Sequence, residues 1–274
     1  MDGSPISVTQ RDLHFPLAGV DLPNWHREGP HVSQFFNAMS VLFPEGERFF
    51  IESVRHYRPQ ISDPQLLADM KGFIGQEAMH GREHRDYNAA LEQAGYGVAS
   101  KEKRVLALLN VARRLPRRNQ LAITICLEHF TSIMADALLQ NEQILGDADP
   151  RMAALWRWHA IEETEHKAVA YDVYQQVAGG LLGYVHRCFT MLTVALFFVV
   201  VTNLIHIDFM RRDGKLFDLR GWLKVLRYQF FSPGPLRKII LPWLAWFKPG
   251  FHPWQHDNRA HVEQWKQEYA PAAH

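Results

Sequence analysis

The chain has 274 residues, 47% hydrophobic and 22% charged, an ordinary globular mixture long enough for one sizeable core in one or two domains. A formal net charge of +1 excludes a global field directed at nucleic acid or a strongly acidic partner. Two cysteines, Cys126 and Cys188, far apart in sequence, exclude a disulfide scaffold and any thiolate zinc or iron–sulfur centre, and fit a reducing, cytoplasmic setting.

Met1 to Pro30 is polar and mixed in charge, lacks the basic-then-apolar plan of a secretion signal, and reads as an N-terminal arm. Almost nothing that follows alternates with period two, so the expected fold class is all-α. A first helical segment covers about 32–57, interrupted at Pro44–Gly46. A second opens at Ser62-Asp63-Pro64, a cap followed by proline at the first helical position, and runs to Gly95. A shorter helix over about 101–115 ends at Pro116, and a long one follows over 118–145. Gly146 to Pro150 forms a turn with a fresh start, and the next helix continues to Ala178, where Gly179-Gly180 stops it. Residues 31–180 therefore offer four long helices and a short one, enough for a four-helix bundle. Residues 181–274 form an apolar, Trp-rich helical region expected to pack on it.

The informative residues are carboxylates and histidines. Glu77 and His80 stand three apart in Gly75-Gln76-Glu77-Ala78-Met79-His80, and Glu163 and His166 repeat that spacing on the fourth helix. Residues three apart share a helix face, so carboxylate and imidazole reach one inward point. One Glu-x-x-His arises by chance on many helices, but two on alternate helices of a bundle are much rarer. Each pair is preceded by a glutamate on the helix before it, Glu47 and Glu128. Glu128 follows the largely apolar run Leu121 to Leu127, where a carboxylate needs a partner and a metal supplies one. The order Glu, Glu-x-x-His, Glu, Glu-x-x-His describes two helical hairpins, each providing half a site. Four carboxylates offset the charge of two divalent ions and can bridge them, and two imidazoles leave positions open for oxygen or water.

This motif order resembles the ferritin-like di-iron superfamily. The segments Asn37 to Phe49, Gly75-Gln76-Glu77 and Pro249-Gly250-Phe251-His252-Pro253 resemble the bacterial family of predicted metal-dependent hydrolases over most of the chain. His159, four before Glu163, gives His-x-x-x-Glu-x-x-His, which is similar to the fourth-helix motif of di-iron arylamine N-oxygenases. That resemblance implies His159 as an additional metal ligand and oxygen activation as the chemistry. The superfamily resemblance implies one ion on Glu47, Glu77 and His80, the other on Glu128, Glu163, His166 and His159, with Glu77 or Glu163 bridging.

Several neighbours compete for these roles. His84 shares a face with Glu77 and His80 one turn on, and reads as supporting the ligands or lining the pocket. Glu162 is a feasible partner of His166 and also reads as supporting; Glu165 reads as solvated. Glu45 and Glu52 compete with Glu47, and His129 reads as structural. His159 itself, beside Trp156 and Trp158, has a packing role as its plainer alternative. Residues 188–205 are almost wholly apolar and reach the lower length limit for a membrane span. A buried helix or an interface, or peripheral membrane contact aided by the Trp-rich tail, is preferred to a true span.

The expected function is a non-haem di-iron oxidoreductase that uses O2 on a small apolar or aromatic substrate. It would hold two iron ions, with manganese or zinc as substitutes, work with an electron-donor protein, and form a homodimer. The alternatives are a hydrolase using metal-activated water and, third, an iron-storage or binding module.

Overall fold

A computed structural model describes residues 6–269. Residues 1–5 of the expected arm and 270–274 of the C-terminal region lie outside the described residues. The described chain is all-α, without a strand.

The two helices that carry the Glu-x-x-His pairs begin alike. The Asp63 carboxylate accepts from the Gln65 amide at 2.9 Å ahead of α3 (Pro64–Gln93), and the Asp149 carboxylate accepts from the Arg151 amide at 2.9 Å ahead of α6 (Pro150–His166). Each satisfies a first-turn N–H, and the following proline lacks the N–H that a first turn leaves unpaired. Before α3 come α1 (Pro30–Ser40) and α2 (Phe43–Tyr57). The break between them falls at Val41-Leu42, earlier than expected, because Pro44 sits in the first turn of α2, where proline is tolerated. Next are α4 (Val98–Arg113) and α5 (Arg117–Leu139), which stops short of 145; Asn141 then caps a short 3-10 turn at Glu142–Ile144. The helix expected to reach Ala178 is interrupted at Lys167-Ala168, and α7 (Val169–Ala178) follows. No proline or glycine marks that break. Lys167 is held there by long-range bonds from its Nζ to the His256 carbonyl and Asn258 Oδ1, both at 2.8 Å.

α2 lies along α3 and α5 lies along α6. α2 also meets α5, and α3 meets α6 and α7, so the four ligand-bearing helices enclose one interior. Phe49, Phe73, Leu121, Met152, Leu155 and Tyr174 fill it above and below the polar centre, each fully or almost fully buried. The C-terminal region adds α8 (Gly180–Arg212), α9 (Leu219–Phe230), α10 (Pro235–Ala245) and α11 (Arg259–Tyr269). α8 packs on α1, α5 and α7, α9 on α1, and α10 on α5. Arg187 on α8, 1% exposed, donates to the carbonyls of Trp246 and Lys248 and so ties α8 to the end of α10.

Of the readings of 188–205 preferred to a true span, the buried helix is corrected by the structure. α8 is long and apolar enough to cross a membrane, but only 22% of its most apolar window is buried. Met191, Val194, Ile205 and Phe209 face the protein, while Phe189, Leu192, Leu196 and Leu204 face solvent. A lone helix laid on a bundle has only one face to bury.

The N-terminal arm lies across α3 at two glycines. A Cβ at Gly72 would stand 2.9 Å from the Cβ of Val8, and one at Gly75 would stand 2.5 Å from Gln10 Oε1. Gly72, which meets the backbone of Val8, could not carry a larger side chain with the arm in place, whereas at Gly75 the Gln10 side chain would have to swing aside. Gly72→Val is therefore expected to lift the arm and raise the rate of tryptic cleavage at Arg11 about tenfold, read by mass spectrometry under native conditions. Unchanged protection of Arg11 would show that the arm does not depend on this contact.

Candidate metal centre

All seven residues singled out in the sequence as ligands converge in the interior. Glu47, on α2, is 1% exposed; Glu77 and His80, on α3, are fully buried; Glu128, on α5, is 2% exposed; and His159, Glu163 and His166, on α6, are 3% exposed or less. Glu47, Glu77 and His80 bring ligand atoms within 4.8 Å of one another, as do Glu77, Glu163 and His166, and as do His80, His159 and Glu163. Glu128 joins the second group through an Oε2 3.4 Å from His166 Nε2. Glu77 and Glu163 each belong to groups on both sides, which places them between two positions an ion could take. His159 differs from the expected pairing. It lies with Glu47 and His80 and not with Glu128 and His166, because Glu163 sits one turn after it and His166 two turns after it on the same helix.

The local sequence makes room for this convergence. Gly81, next to His80, faces Glu47: a Cβ there would stand 3.0 Å from Glu47 Oε2. The competitors of Glu47 are engaged elsewhere, Glu45 with Arg48 at 2.6 Å and Glu52 with Arg113 at 2.7 Å. His129 turns away to the Pro242 carbonyl at 3.2 Å, as its structural role requires.

The outer nitrogens of His166 and His159 are held by hydrogen bonds, and that of His80 faces a carboxylate. Gln76 uses its amide N–H groups on Glu165 Oε2 at 2.7 Å and the Thr9 carbonyl at 3.0 Å, so its Oε1 faces His166 Nδ1 at 2.8 Å. Nδ1 must then carry a proton in either charge state, and Nε2 is aimed inward, 3.1 Å from Glu77 Oε1. Glu162 Oε2 lies 3.1 Å from His80 Nε2, turning Nδ1 towards Glu163 Oε1 at 3.5 Å. His159 is ordered by a longer relay. Asn88 donates to the Ser40 carbonyl and to Glu102; Ser40 Oγ donates to Asn88 Oδ1 and accepts from His84 Nδ1; His84 Nε2 then accepts from His159 Nδ1 at 2.8 Å. The bare Nε2 of His159 points at Glu163 Oε1, 3.0 Å away. Two lone pairs facing each other in a buried site call for a cation between them.

His84 and Glu162 thus stand where supporting roles require them. Glu165 does not: expected in solvent, it is 2% exposed. The reason is Arg11 of the arm, whose guanidinium donates to both Glu165 oxygens, at 2.6 and 3.2 Å, and to Glu162 Oε1 at 3.1 Å. The sequence reading missed Arg11, Gln76 and Glu165. Gln76 adjoins the Glu77 motif, but nothing local connects Arg11 with residues more than 150 positions away.

The donors have few partners within the protein. Both carboxylate oxygens of Glu47, Glu77 and Glu128, both nitrogens of His80 and Nε2 of His166 are buried without a hydrogen-bond partner. Burial, reinforced by Glu77 and Glu163, pushes the Glu128 carboxyl up to about 8, and burial likewise raises Glu47 and Glu77. Burial and the neighbouring imidazoles hold His159 down to about 4 and His84 low, so both are neutral, as ligation and the relay require. Burial lowers His80 as well, but Glu162 and Glu163 outweigh it and raise His80 to about 10. Protons therefore hold the places that metal cations fit better: four carboxylates and neutral imidazoles are the donor chemistry of borderline and hard divalent ions.

A narrow apolar pocket of about 60 Å³ reaches this centre. His159 and Glu163 stand at one end; Phe36, Phe43, Met134 and Leu138 line the walls; Gln229, Pro235 and Leu236 lie at the α9–α10 corner. Within this lining, Trp156 Nε1 and both amide atoms of Gln229 are buried and unpartnered.

Fold and site together define an all-helical protein with a buried carboxylate–histidine metal centre opening into an apolar pocket. The chain belongs to the family described as predicted metal-dependent hydrolase, whose model matches residues 9–257. No curated protein and no solved structure matches it.

The folded, metal-free chain binds more protons than the unfolded chain between the ordinary carboxyl value of 4.5 and about 8, through Glu128. His80, raised from 6.5 to about 10, acts with the same sign: its contribution is complete below 6.5 and lost towards 10. His159 and His84, lowered in the folded chain, act with the opposite sign below 6.5. Above it the lowered Lys167 is outnumbered by the raised His80, His166 and Glu47. The metal-free protein is therefore expected to melt at lower temperature from about pH 7 to about pH 9, and added divalent metal to raise the melting temperature most at the upper end. Thermal melts with and without chelator check this; a metal-free melting temperature that climbs over that range would contradict it.

Proposed function

We propose that the chain is a metal-dependent hydrolase that holds two divalent ions and cleaves an apolar substrate. The observation that carries this reading is the cluster of buried, unpartnered carboxylate and imidazole atoms at the inner end of an apolar pocket. Glu47, Glu77, His80 and His159 would hold one ion and Glu128 and His166 the other, with Glu77 and Glu163 shared. When bound, such ions acidify a water and polarise the bond to be cut.

The chain's own residues account for the remaining requirements. Phe43 packs its ring 4.6 Å from that of His84 and 4.7 Å from that of His159, shielding the centre from bulk water. Arg11 holds Glu162 and Glu165, and through them His80 and Gln76, so the ligand nitrogens keep their aim. The unpartnered amide of Gln229 offers a donor and an acceptor to one polar group on an otherwise apolar substrate. A compact ester or amide on a hydrocarbon body suits that wall.

A second reading is favoured by one specific observation, the duplicated Glu and Glu-x-x-His set in a dry pocket. This resembles the ferritin-like di-iron superfamily, in which iron replaces the generic ions and O2 becomes a co-substrate supplied with electrons by a donor protein. Protein purified without air, analysed for metal and then given ester and amide panels in an oxygen electrode, separates the two. Hydrolysis that needs metal and consumes no O2 is expected; substrate loss matched by O2 uptake in the iron form would transfer the assignment to the second reading.

Two substitutions probe the parts. Glu128→Ala is expected to lower metal content from two ions per chain to one or none by elemental analysis; undiminished loading would remove Glu128 from the ligand set. Gln229→Leu is expected to raise KM about tenfold with little change in kcat, the cost of one lost hydrogen bond to the substrate.

A further inference from the structure

We propose that the α8–α10 face of the protein docks on an anionic lipid bilayer, with the pocket mouth turned towards the lipid. On α9, Leu219, Leu223, Leu226 and Phe230 follow helical spacing along the solvent side and are 74, 66, 51 and 42% exposed. This reverses the usual surface helix, whose apolar stripe faces inward. Ile240, Leu241 and Leu244 extend the apolar surface along α10, and Phe189, Leu192 and Leu196 extend it along α8. The helices lie on one side of the molecule: α8 and α9 share α1 beneath them, α8 and α10 share α5, and the His206 ring on α8 meets the Trp222 ring on α9 at 5.1 Å. Exposed apolar side chains in this number on neighbouring helices mark an interaction site.

Charge identifies the occupant. Between Gly214 and Gly250 the sequence has seven lysines and arginines against one carboxylate, Asp218, although the whole chain carries a net charge of only +1. Arg220, Lys224 and Arg227 each follow a stripe residue of α9 by one position and are exposed, and Arg237 and Lys238, also exposed, stand in the turn before the apolar residues of α10. Long basic side chains flanking an apolar stripe suit an acyl layer beneath anionic headgroups. A protein partner would not require cations so consistently at the edges.

The geometry favours lying on the bilayer over crossing it. The inward face of α8 carries Thr202 and His206, both buried, and its Arg187 is bonded into the α10 end, so a spanning α8 would have to abandon its seat on the bundle. Pro235 and Leu236, partly exposed, line the pocket at the α9–α10 corner, beside exposed Phe230 and Phe231. A hydrocarbon substrate dissolved in the bilayer would enter there without crossing water. This last step rests on the apolar-substrate reading given above, whereas docking itself rests only on the surface.

The test uses the full-length protein and sedimentation with two kinds of vesicle, phosphatidylcholine alone and phosphatidylcholine with about one-third phosphatidylglycerol. Binding to the anionic vesicles is expected to be at least about tenfold tighter and to weaken in high salt. It should also fall about tenfold in Leu223→Glu/Leu226→Glu, whose exposed positions leave helicity and melting temperature unchanged. Equal failure to bind both vesicles, binding untouched by the double substitution, or retention on membranes through an alkaline carbonate wash would each overturn docking. So would a wild-type dimer that the substitution splits without any vesicle affinity, since the face would then join two copies. Vesicle binding is read without turnover, so loss of hydrolytic activity alone leaves this result standing, and the reverse also holds.

Discussion

The structure depends on one costly act, the withdrawal from water of Glu47, Glu77, Glu128 and Glu163 side by side. An ionised carboxylate buried without a partner costs several kcal/mol, and like charges in contact add to that. Within the group the only side-chain cations among the described residues are protonated imidazoles, His80 foremost, and the guanidinium of Arg11 stands one layer outside. The metal-free centre therefore keeps protons on groups that ordinarily release them, and divalent ions resolve the conflict most directly. Gly81 beside Glu47, the capped starts of α3 and α6, and the apolar packing above and below are all arranged around that group.

The layer outside the donors gives the centre its orientation. Three different devices, an amide at His166, a carboxylate at His80 and a neutral imidazole at His159, each fix which nitrogen turns inward. Two of them meet at Arg11, so an arm without regular structure becomes part of the chemistry, held by close approach to Gly72 and Gly75. The metal centre is thus coupled to the order of residues 8–11, which links folding of the arm to ligand geometry.

The pocket and the outer surface have the same apolar character. One leads inward from the α9–α10 corner to His159 and Glu163, and the other spreads outward from it along α8, α9 and α10. The hydrocarbon-lined route and the basic rim around its mouth give the C-terminal region a use that packing on the bundle would not by itself explain.

Much of this was legible in local sequence because it rests on short-range rules. Helical periodicity, the Asp-Pro starts and the Gly179-Gly180 stop marked most of the elements. Three-residue Glu-x-x-His spacing on two helices, with a glutamate on the helix before each, marked the donors, since residues one turn apart must share a face. Other features were set only by tertiary structure. Glu165 reads as a surface residue until Arg11 arrives from across the chain. His159 is grouped by distance along its own helix and not by the expected hairpin symmetry. The break after His166 has no sequence signal because long-range bonds to Lys167 accompany it. Whether α8 was core or surface depended on how many neighbours the fold placed around it, and a run of apolar residues does not encode that number. Local sequence determined which side chains could share a face, and only the packed chain decided which faces met.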